Sequence, residues 1–98
     1  MNFAFQGKQI EIESLALSKS EQGATLLLSI LCEGKRYDLR FKNVSLLRIA
    51  DLSLPFQICG FDIVHTAERG WEAPAAYRVF DFEDDRISFY CEEILAES

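Results

Sequence analysis

The sequence is short of the residues that build metal centres, disulfide frameworks and catalytic constellations. Its 98 residues include one histidine, three cysteines, two prolines and one tryptophan. Cys32, Cys59 and Cys91 are odd in number and contain no C-x-x-C pair, so neither a disulfide framework nor a zinc ribbon is expected. A closed zinc site would need all three thiols plus His65. Small buried thiols in a reducing compartment are the simpler expectation, and no cofactor is expected. The glycines are scattered at turn sites, which excludes a glycine-rich phosphate loop. Long apolar runs are missing too. The longest, Ala24 to Cys32, is broken by Thr25 and Ser29 and falls far below the ~20 residues of a membrane span. Met1 to Lys8 lack the basic start and apolar stretch of a secretory leader, so a cytoplasmic protein is expected. Positive charge is scarce as well: 10 Lys and Arg stand against 16 Asp and Glu, a net charge of −6. That balance argues against nucleic acid and against an anionic membrane surface, and it favours a basic partner.

What is present is the material of one folded domain spanning residues 1–98. Hydrophobic residues make up 49% and charged residues 27%, the mixture of a globular chain rather than a disordered one. The dominant period is two. In Lys35 to Lys42, Tyr37, Leu39 and Phe41 fall on one face, with Arg36, Asp38, Arg40 and Lys42 on the other. Thr25 to Cys32 could be helix or strand on periodicity. Its eight residues and the Glu33-Gly34 turn that follows favour a hairpin. Ile10 and Ile12, then Leu15 and Leu17, suggest a strand whose phase slips by one near Glu13-Ser14, as a bulge would make it. Val44 to Ile49 reads as a short strand or extended segment. Further strands are expected after Gly60, over Tyr77 to Phe82 and over Arg86 to Glu93, with Glu83-Asp84-Asp85 as the turn between the last two. The expected fold is therefore all-β, six to seven short antiparallel strands in a sandwich or flattened barrel, with at most one short helix near Ser53–Cys59.

Few side chains suggest chemistry. Asp81, Glu83, Asp84 and Asp85 are the densest acidic group, but a calcium loop needs a glycine at its sharp turn, and Phe82 interrupts the run. A solvated turn that offers an acidic rim to a basic partner is the better reading. His65 is the one histidine, the residue type most used in acid–base catalysis, yet no serine sits in a nucleophile elbow and Cys59 forms no recognisable dyad with it. An enzyme using His65 with Asp81 or Glu83 is the weakest option, and a non-enzymatic protein is expected. Trp71, beside Gly70 and before Pro74, either anchors a partner or caps the core.

The run Leu39-Arg40-Phe41-Lys42-Asn43-Val44 and the closing Ile87-Ser88-Phe89-Tyr90-Cys91-Glu92-Glu93-Ile94 resemble small bacterial toxin-immunity proteins of the immunity protein fifty type. The resemblance implies a protein that neutralises a cognate toxin by binding it, with acidic charge steering the encounter. On physical grounds the contact residues are expected among Trp71, Glu72, Glu83, Asp84 and Asp85. A homo-oligomer is the alternative, because small β domains must cover their strand edges.

Overall fold

Alternating patterns of this kind can bury only one face of each strand, so the strands must enclose a common interior. In the computed structural model, which describes residues 3–21, 23–50, 53–68, 70 and 75–97, they do so as one antiparallel sheet. Its strands are β1 (Lys8–Ser20), β2 (Gly23–Cys32), β3 (Lys35–Ile49), β4 (Phe56–His65), β5 (Tyr77–Asp81), β6 (Ile87–Cys91) and β7 (Glu93–Glu97). β1 pairs with β2 and β4, β4 with β5, β5 with β6, β6 with β3, and β3 with β2. Six strands thus close a ring, and β7 joins the sheet along β3.

Two strands bend to make the closure. In β1 the register shifts between Ile12 and Ser14, where the phase slip in the sequence predicts a bulge. Residues before it pair with β4, Glu11 and Ile12 with β2 as well, and those after it pair with β2 up to Ser20. β3 bends where Asn43 and Leu46 take positive φ of 55° and 53°. Its first part pairs with β2 and its last part with β6. The segment Val44 to Ile49 is accordingly the second arm of one long strand. β6 and β7 follow β3 around the same corner, and between them the Glu92 N–H donates to the Lys42 carbonyl at 2.9 Å. The expected strand Arg86 to Glu93 is found as β6, and β7, an unexpected strand, begins at its last residue.

The inward faces form one core. Ile10, Ile12, Leu26, Leu28, Ile30, Leu39, Ile58, Ile63, Val79 and Ile87 are buried in it. Phe41 and Phe89 pack edge to face there, with centroids 4.9 Å apart. At one end Phe5, folded back by the turn before β1, packs against Phe3, Tyr37 and Phe61. No helix is found among the described residues. The stretch Ser53–Cys59 enters β4 at Phe56 instead, because Ile58 belongs to the buried alternation while Gln57 and Cys59 face out. The radius of gyration, 12.6 Å, is that of a single packed unit of this length.

Candidate functional site

The acidic group sits in the connection from β5 to β6, and its members do different things. Asp81, at the end of β5, is only 2% exposed. Its Oδ1 accepts the N–H groups of Glu83 at 3.0 Å and Asp84 at 3.4 Å, and its Oδ2 accepts that of Arg86 at 3.1 Å. The carboxylate replaces water with three backbone donors, which is what makes its burial tolerable. Asp81 is thus the buttress of the turn and not part of a solvated rim, a correction to the sequence reading. Glu83, Asp84 and Asp85 point into solvent as expected. Asp85 takes a positive φ of 52°, a conformation that aspartate tolerates better than most residues, and is ion-paired with Arg48 on β3.

Two further contacts dock the turn onto β4. The Phe82 N–H donates to the Gly60 carbonyl at 2.9 Å, and Arg86 Nη1 donates to the Gln57 carbonyl at 2.8 Å. Phe82 itself lies in the turn and not in the strand where alternation puts it, and it is 52% exposed. Its ring and the stem of Glu83 lie over Gly60. A Cβ at that glycine would come within 3.0 Å of the ring edge and 2.7 Å of Glu83 Cγ. The result is an exposed aromatic ring on a hydrogen-bonded turn, followed by the exposed Glu83, Asp84 and Asp85. Phe82 is the residue that sequence reasoning missed: its place after Tyr77 and the alternation of β5 disguise it as a strand position.

Trp71 and Glu72, the other two expected contact residues, lie outside the described residues. The chain that leads to them departs from His65 and returns at Ala75. There the buried Thr66 hydroxyl donates to the Ala75 and Ala76 carbonyls, at 2.9 and 3.1 Å. The acidic turn leaves from the opposite end of β5.

His65 is not joined to the acidic group. In the β4–β5 register His65 faces Tyr77 and Asp81 faces Phe61, four residues and roughly 13 Å away along the strand. The imidazole packs edge-on against Tyr77 at 5.1 Å, and its Nδ1 accepts the Glu68 N–H at 3.4 Å. The thiols are equally dispersed. Cys32 and Cys91 are buried, Cys59 is exposed, and no group of three or more metal-ligating side chains is assembled among the described residues. Burial pushes the Cys91 thiol up to about 12 and raises that of Cys32, so both stay protonated and unreactive.

Part of the C-terminal acid is already answered within the fold. β7 lies beside the basic strand β3, placing Glu93 opposite Lys42 and Leu95 opposite Arg40. Lys42 Nζ is 4.0 Å from the Glu93 carboxylate. A shallow groove of about 350 Å³ runs over this region, lined by Leu27, Ser29, Asp38, Arg40, Leu95 and Glu97. It holds none of the expected contact residues. No helix among the described residues is long and apolar enough to cross a membrane. Comparison of the chain with protein-family models, curated proteins and solved structures finds no match.

Proposed function

We propose that the protein is a non-enzymatic binding module whose partner is a basic protein surface, and that it acts as an immunity protein neutralising a cognate bacterial toxin in the cytoplasm. The observation that supports this reading is the β5–β6 turn. Phe82 is half exposed on a backbone fixed by the buried Asp81 carboxylate, and acidic side chains follow it directly. A preorganised aromatic anchor loses little freedom on binding, and a surrounding charged rim sets the encounter rate and the choice of partner. With a chain charge of −6, the attraction to a basic toxin domain weakens as salt rises.

The test is co-expression with a toxin whose gene adjoins that of this protein and whose C-terminal domain is basic. The wild-type chain is expected to protect cells, and a Phe82→Ala, Glu83→Lys variant to fail while folding normally. Unprotected cells with the wild-type chain would overturn the immunity reading. Full protection by the variant would overturn the placement of the contact surface.

A further inference from the structure

We propose that the chain also associates with a second copy of itself, by antiparallel pairing of the free edge of β1 over residues Ser14–Ser20. The pairing involves no residue of the acidic turn and does not depend on the reading of that turn. β1 leaves β4 at Ile12, and from Ser14 onward its strand partner among the described residues is β2 alone. Every second backbone N–H and C=O of this stretch therefore faces away from a strand partner, which is a template for another strand.

The side chains say which strand fits. Ser14-Leu15-Ala16-Leu17-Ser18-Lys19-Ser20 contains one charge, no acid, no proline and no glycine, in a chain of net charge −6. Leu17 is 54% exposed on the face that carries Leu15. A two-fold axis at Leu17 sets Leu17 against Leu17, Ala16 against Ser18 and Leu15 against Lys19. No charge then meets a like charge. The partners in each pair share parity, so the leucine face of one copy continues into that of the other.

The free edge of β7 fails the same operation. On β7 an axis at Leu95 would set Glu93 against Glu97 twice, like charges directly opposite. β7 is thus guarded against a second copy by its glutamates, whereas β1 carries only Lys19 as a guard. Seven paired residues span roughly 24 Å and make an interface below the standard size, so the dimer dissociates on dilution.

Sedimentation analysis of the full chain from about 10 μM to about 1 mM is expected to show a monomer passing into a dimer. Leu17→Lys brings two like charges onto the axis and should weaken the dimer about tenfold or more, with an unchanged circular dichroism spectrum. Leu95→Lys on β7 should leave it unchanged. In a Cys59→Ser background, Leu17→Cys should give a symmetric disulfide dimer with oxidised glutathione. A strict monomer at the highest concentration overturns the proposal. So does a dimer that Leu17→Lys leaves intact, or a Leu17→Cys chain that dimerises without cross-linking.

Discussion

The β2–β3 and β5–β6 hairpins reverse the chain in opposite styles. Between β2 and β3 two residues suffice. Glu33 and Gly34 take φ of 52° and 80°, the pair of positive values that matches the twist of the flanking strands, and the Cys32–Lys35 pair closes the ladder. Glu33 then bridges Lys8 at 2.9 Å in solvent. Between β5 and β6 the reversal uses Phe82 to Arg86 and a buried carboxylate, and it carries a half-exposed phenylalanine. A turn that only reverses a chain needs no buried charge and no exposed ring. The longer turn leaves an aromatic ring and three carboxylates on the surface, and the shorter one closes a ladder.

Substitutions in the two turns should therefore separate stability from binding. The largest effect is expected from Asp81→Ala, which strips three backbone donors of their acceptor and should destabilise the fold by about 3 kcal/mol in chemical denaturation. It should abolish partner binding as well. Phe82→Ala should change stability by no more than about 0.5 kcal/mol but weaken partner binding by about 2 kcal/mol, measured by calorimetry. Gly34→Ala is its mirror image. Forcing a Cβ into φ of 80° should lower stability by about 1 kcal/mol and leave binding untouched. Gly60→Ala pushes against the Phe82 ring and the Glu83 stem. Its effect on binding is expected to resemble that of Phe82→Ala in direction and to be smaller, because both neighbours can swing away. Arg48→Ala removes an exposed ion pair to Asp85 and should change the melting free energy by no more than about 0.5 kcal/mol. Binding lost equally in both turns would erase the distinction drawn between them.

Much of the fold is legible in the sequence wherever local chemistry and burial agree. Glu33-Gly34 fixes the β2–β3 reversal, Tyr37-Leu39-Phe41 states which face is inward, and the slip at Glu13-Ser14 marks the bulge in β1. Legibility fails where tertiary pairing overrides the local pattern. Asn43 and Leu46 at positive φ break the period of β3, so one bent strand reads as two pieces. No strand is expected beyond Glu93, since in Glu93–Glu97 only Ile94 is drawn toward the core and β3 supplies the pairing. In the candidate site, the exposed carboxylates of Glu83, Asp84 and Asp85 can be read from composition. The burial of Asp81 and the placement of Phe82 cannot, because both follow from where β4 puts Gly60 and Gln57.

On the proposed reading, the β5–β6 turn binds a basic protein partner through Phe82 and its acidic neighbours. The most direct test is a calorimetric titration of a purified basic toxin domain, chosen from a gene adjoining that of this protein, into the wild-type chain and into Phe82→Ala and Glu83→Lys, at low and high salt. A salt-sensitive wild-type complex is expected, with Phe82→Ala about thirtyfold weaker and Glu83→Lys weaker chiefly at low salt. Wild-type affinity in both variants, indifferent to salt, would contradict it.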